Sequence, residues 1–161
     1  MKNSEISLIK ASMKDCQLIH KMQVESFKVL LDKYQDYDTN PAVEPLERIE
    51  SRMSLDILDH YLICLSDEKI GSLRVRTDND TFRLGTIFIL PEYQGKGYAK
   101  QSILKVEQLY PEVKKWGLAT IKQESKLCHF YESLGYRLTS KEEQIQDDMT
   151  IVFYEKELSK K

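Results

Sequence analysis

The sequence is poor in cysteine, with three in 161 residues, at positions 16, 64 and 128. An odd number without paired spacing supplies neither a disulfide framework nor a zinc site, so Cys16, Cys64 and Cys128 read as buried or inert thiols. An excess of one charge is also missing. The 24 basic and 26 acidic side chains leave a net charge of -2, which disfavours generic affinity for nucleic acid or an anionic membrane. No apolar run is long enough for a signal peptide or a membrane span, and Met1-Lys2-Asn3-Ser4-Glu5 turns polar at once. A soluble, cytoplasmic protein is expected. No repeat, linker or low-complexity tract divides the chain. Its length suits one domain over residues 1–161, and 41% hydrophobic content is enough for one core.

What is present is a change of period along the chain. Residues 6–9 are short and β-prone, and Ser12-Met13-Lys14-Asp15 has the spacing of a capping box with Asp in place of Glu. Ile19, Met22, Phe27, Leu30, Leu31 and Tyr34 then share one half of a helical wheel. The prolines and polar residues of 36–45 form a loop, and Leu46, Ile49, Met53 and Ile57 predict a second helix to about Leu58. Residues 60–65 and 69–75 read as a hairpin, and 82–90 as a third strand whose far half is apolar on both faces. Ala99, Ser102, Ile103, Val106, Leu109 and Tyr110 line a third helix. A strand at 118–122 follows, then a helix capped by Ser125 and stopped by Gly135. Two last strands, 137–140 and 149–157, flank a polar stretch. The sum is an α/β (mixed α+β) fold, a mixed and mostly antiparallel sheet of about seven strands with helices on both faces.

Chemistry concentrates in Gln94-Gly95-Lys96-Gly97-Tyr98-Ala99, where a buried strand gives way to a helix. The first turn of a helix has N–H groups without partners, so such a junction attracts phosphate. Gly95, Gly97 and Ala99 keep the backbone accessible, and Lys96 adds positive charge. A dinucleotide fingerprint fails at Lys100, where a third glycine is required, and a P-loop fails because Gly-Lys-Gly is not Gly-Lys-Ser/Thr. The same hexapeptide would also make a turn without a ligand.

The turn resembles the acyl-CoA motif of the GNAT superfamily of N-acetyltransferases, Gln/Arg-x-x-Gly-x-Gly/Ala, at every specified position. Ile87-Phe88-Ile89-Leu90-Pro91-Glu92-Tyr93 is similar to the family's fourth strand and its exit. Phe130-Tyr131-Glu132-Ser133-Leu134-Gly135-Tyr136 is similar to its second motif. The resemblance implies acetyl-CoA as cosubstrate, without a metal, held between strands 82–90 and 118–122. Its pantetheine would pair near Phe88, Ile89 and Leu90, its pyrophosphate would meet Gln94, Gly95, Lys96, Gly97, Tyr98, Ala99 and Lys100, and Ser125 would stand where the family often has Asn. Residues 96–126 carry seven lysines against three glutamates, in keeping with a phosphorylated ligand. The family's catalytic carboxylate on the fourth strand falls on Arg83, so no base transfers there.

Acetyl transfer needs a neutral amine, and a lysine-like amine is only about one part in a few thousand neutral at pH 7. Glu124 is the first candidate to take its proton and Glu25 the second, while Tyr131 matches the family's general acid for the leaving thiolate. His129 lies about 200° around the helix from Tyr131 and is not expected to share its pocket. His20 and His60 read as surface or satisfied side chains, and Trp116 as loop packing. Residues 32–56 hold seven acidic side chains against three basic ones, which favours a small cationic amine as acceptor. A peptide N-terminus is the competing acceptor, a non-catalytic acyl-CoA sensor is the competing function, and homodimerisation stays open.

Overall fold

Successive residues of a strand face opposite ways, and the middle of this chain exploits both faces. The computed structural model describes residues 5–158. In it Ile63, Ile70, Leu73, Val75 and Ile89 join one buried cluster, and Leu62, Cys64 and Phe88 join another. Between the clusters runs a sheet of β1 (Ile6–Lys10), β2 (Leu58–Leu65), β3 (Glu68–Arg76), β4 (Thr81–Leu84), β5 (Phe88–Ile89), β6 (Lys115–Ile121), β7 (Arg137–Gln146) and β8 (Met149–Glu157). The order is β1-β2-β3-β4-β6-β8-β7, with β5 attached to β3. The β4–β6 pair is parallel and the other pairs are antiparallel.

Helices α1 (Cys16–Tyr34) and α2 (Leu46–Met53) cover one face, contributing Cys16, Ile19, Met22 and Ile49 to its cluster. Helices α3 (Tyr98–Leu109) and α4 (Ser125–Ser133) cover the other with Ile103, Val106 and Tyr131. The expected α/β fold with helices on both faces is what forms. The Ser12–Asp15 box is present too: Ser12 N donates to Asp15 Oδ2 at 2.8 Å ahead of α1. Cys16 and Cys64 are buried, and burial pushes both thiols up. Among the described residues no helix is long and apolar enough to cross a membrane.

Four boundaries differ from the sequence reading. Helix α2 stops at Met53 because Ser54 Oγ donates back to Ser51 O at 2.9 Å, and Leu58 pairs with Arg76 in the sheet instead of extending the helix. The strand expected over 82–90 is two strands interrupted at 85–87, so the sheet formed by the described residues has eight strands where about seven were expected. Strand β6 begins at Lys115, which makes Trp116 a core residue: it is fully buried, edge-on to Phe82 and Tyr110. The polar stretch after Ser140 is mostly strand. β7 is an edge whose hydrogen bonds to β8 need no apolar alternation.

Gly71 shows how closely β5 is fitted. It stands opposite Ile89, and a Cβ there would overlap the Phe88 carbonyl oxygen, a backbone atom that cannot turn aside. Gly71→Ala should therefore cost about 1–3 kcal/mol, seen as a lower Tm in calorimetry. An unchanged Tm would mean that β5 is free to shift.

Candidate active site

The sheet opens where β4 ends. Strands β4 and β6 pair over Thr81–Arg83 and Lys115–Gly117 and then part. Beyond the parting, β5 stays with β3, and Leu118 to Ile121 of β6 stay with β8. A wedge is left between β5 and β6. Leu90 N donates to Ile70 O at 2.8 Å, so by strand alternation Ile89 turns its N–H and C=O toward the wedge. The Ile89 carbonyl accepts from Gln94 Nε2 at 2.8 Å, which ties the motif glutamine to the strand edge.

Pro91–Tyr93 form a single 3-10 turn, and Gly95 and Gly97 follow with φ of 77° and 85°. Nothing lies within 4 Å of a Cβ placed on either glycine, so it is the left-handed backbone, rather than crowding inside the protein, that requires glycine. Gly97 caps α3. The first bond of that helix runs from Gln101 N to Gly97 O at 3.1 Å, leaving the amides of Tyr98, Ala99 and Lys100 without helical acceptors. Among the described residues Lys96 and Lys100 form no ion pair. A strand edge with a free N–H, leading to free amides flanked by lysines, fits an elongated ligand with an amide-bearing arm and a phosphate end.

Helix α4 borders the same opening. Tyr131 is buried, its hydroxyl makes no hydrogen bond among the described residues, and burial followed by the nearby Cys128 pushes it up to about 12. Glu124 caps α4 at the end of β6. It accepts from Lys33 Nζ and Tyr34 Oη, both at 2.6 Å. Burial alone would raise this carboxyl, but the bonds from Lys33 and Tyr34 outweigh it and hold it below the usual range. Glu124 is thus an ionised link between α1 and α4, and a weak proton acceptor. Ser125 is exposed and is the first helical residue instead of the cap. Glu25 and His129 are exposed, and Arg83 lies over the Phe153 ring, 5.5 Å from its centroid.

His60, expected as a surface or satisfied side chain, and Arg74, which the sequence did not single out, come together in the structure. Each sits on the α1/α2 face, directly across the β2–β3 pair from the other. His60 is 5% exposed, and its Nε2 has no partner among the described residues, so it is neither a surface nor a satisfied side chain. Burial pushes its pKa down, which keeps the ring neutral at pH 7. His20, by contrast, contacts the Glu44 carbonyl at 3.0 Å. A single histidine and arginine without a motif give no signal until the strands are placed side by side.

With this geometry in place, a family model described as "Acetyltransferase (GNAT) domain" matches residues 31–158. An uncharacterised protein of Bacillus subtilis (strain 168), YyaT, is 29% identical over 103 residues, covering 63% of this chain and 67% of that protein. Three solved structures are similar in fold. An acetyltransferase from Thermus thermophilus has a TM-score of 0.77 at 17% identity, over 98% of this chain and 100% of that one. A Vibrio cholerae spermidine N-acetyltransferase in complex with CoA and spermine has 0.75 at 18%, over 95% of each. The ribosomal-protein-S18-alanine N-acetyltransferase of Escherichia coli has 0.77 at 10%, over 97% and 96%.

The lowered pKa of Glu124 has a pH consequence. A carboxyl with a lowered folded-state pKa stabilises above its unfolded pKa, and that contribution fades as pH falls through the folded value. Glu124→Gln should cost about 1–2 kcal/mol at pH 7, chiefly the charge-assisted bond from buried Tyr34. The difference in Tm should narrow as the pH falls below the ordinary carboxylate range and through the lowered folded value. An equal loss at every pH would assign the effect to packing.

Proposed function

This chain belongs to the GNAT acetyltransferase family, and from that premise we propose that it transfers an acetyl group from acetyl-CoA to a primary amine of a small molecule, in the cytoplasm, by direct attack in a ternary complex. The observation that carries the reading is the wedge between β5 and β6 ending on the free amides of α3. Ile89, with Phe88 and Leu90 beside it, would hold the pantetheine arm. Gly95 to Lys100 would hold the phosphates, Gln94 would brace the strand edge, and Ser125 would border the arm from α4. The cosubstrate supplies a reactive thioester. The rest is the work of this chain's residues: binding, orientation and proton transfer.

The acceptor nitrogen forms a bond to the acetyl carbon as the carbon–sulfur bond breaks, and the nitrogen loses a proton. Tyr131 would give its hydroxyl proton to the departing sulfur, a role supported by its buried hydroxyl without a partner among the described residues. A hydroxyl near 12 facing a thiol near 8.5 makes full transfer uphill by about 5 kcal/mol, so the proton should move while the bond is breaking. Glu124 would act through its charge and its hold on α1, with a water as the proton carrier. Acidic side chains at the α1–α2 end support a cationic amine. Asp36 and Glu44 are tied inward by Thr39 and Arg52, but Asp32, Asp38, Glu47 and Asp56 remain exposed.

Two variants test the assignment. Gly97→Asp puts a side chain and a negative charge at the phosphate end, and calorimetry should show acetyl-CoA binding lost with the fold intact by circular dichroism. Retained affinity would remove the turn from the site. Tyr131→Phe should lower kcat by about 10- to 10⁴-fold in CoA release from a panel of amines, with little effect on acetyl-CoA affinity. Full kcat would make Tyr131 a packing residue, and binding without release from any amine would favour a sensor.

A further inference from the structure

Behind the strand break, on the α1/α2 face, lies a polar pocket that no step above uses. Arg74 projects into it from β3. Gly85 N donates to Arg74 O at 2.7 Å, and a Cβ on Gly85 would sit 2.8 Å from Arg74 Nε, so the missing side chain is what lets the guanidinium lie across the break. The one side-chain hydrogen bond of Arg74 among the described residues is long, 3.3 Å from Nη2 to Thr86 Oγ1. No carboxylate among the described residues pairs with it. Glu44 is already engaged by both Arg52 nitrogens, at 2.8 and 2.7 Å, and by Gln23 Nε2 at 2.9 Å. Arg74, Arg52 and Glu44 together therefore keep an excess positive charge, with the unpartnered Nε2 of His60 in the same pocket.

A half-buried arginine with no carboxylate bonded to it is costly, and burial followed by the Arg52 charge lowers its pKa to about 10 although Glu44 pulls the other way. A ligand that brings the anion would relieve that cost. The planar guanidinium fork matches a carboxylate in two parallel bonds. The pocket is tight, about 10 Å³ of free volume, space for about one water, so a ligand would meet Arg74 at the pocket mouth, where the side chain is only half-buried. Its wall includes Thr86 and Phe88, the segment whose opposite edge borders the wedge. A group held at Arg74 would lie against the strand segment that the wedge borders from its other edge.

We propose that Arg74 anchors a carboxylate of the acceptor, so that the substrate is an amine bearing a carboxylate, an amino acid or a close relative, in preference to a polyamine. This rests on the amine-acetyltransferase reading and narrows its substrate. The exposed carboxylates at the rim would meet the ammonium end, and Arg74 the other.

The test compares amino acids with their decarboxylated amines and with spermidine, by calorimetry on protein loaded with CoA and by CoA release from acetyl-CoA. At least one amino acid should bind about 10- to 100-fold more tightly than its decarboxylated counterpart. Arg74→Met should abolish that preference, Arg74→Lys should retain part of it, and the unliganded Met variant should match or exceed the parent Tm, because a half-buried charge without a bonded carboxylate is gone. No preference for any carboxylate in the parent would overturn the proposal. So would an Arg74→Met variant that weakens both members of a pair alike, or that loses Tm and regains it as Lys, which marks a structural arginine. Failure of every amine to release CoA would sink the transferase reading alone, since the calorimetric preference still decides the carboxylate site.

Discussion

Everything distinctive in this molecule depends on a pairing that stops. Strands β4 and β6 share a parallel ladder for three residues at the Trp116 end and then separate, each keeping its antiparallel partner on the far side. Backbone groups in a buried sheet must find acceptors and donors, so a parted ladder invites something with amide chemistry to complete it. The two helix clusters keep the parting open: Phe88 is anchored among α1 and α2 residues, and Ile89 and Leu118 among α3 and α4 residues. Gly71 makes the same point at atomic scale, because β5 can approach β3 as it does only over a bare Cα.

The fold was largely legible because its signals are local. The period changes at Leu58 and at Phe82, and the turn at Gly95 and the stop at Gly135 rest on residues whose conformations few others adopt, with φ of 77° and 97°. What the sequence concealed was decided by tertiary contact. Arg83-Leu84-Gly85-Thr86 continues an alternating pattern, yet the chain leaves the ladder there, while β6 runs on beside β8 alone. Residues 141–146 alternate nothing apolar, yet an edge strand needs only its neighbour's hydrogen bonds.

The site divides in the same way. A contiguous motif covers Gln94 to Lys100, because glycines and a helix start must be neighbours in sequence to make an anion cradle, and a second motif at 130–136 singled out Tyr131. Glu124 was found by position, but its bonds to Lys33 and Tyr34, ninety-one and ninety residues away, were out of reach. Arg74 and His60 come together only through the β2–β3 register, and the bare Cα of Gly85 leaves the space that the Arg74 guanidinium takes.

The burial of Trp116 has an optical consequence. It is the sole tryptophan, wholly removed from solvent and ringed by Phe82 and Tyr110 at the closed end of the sheet. Its emission should be blue-shifted in the folded protein and move to longer wavelength when the core comes apart. Because the closed end is where β4 and β6 never part, that signal should stay nearly constant while ligands come and go. The fluorophore therefore reads folding separately from occupancy.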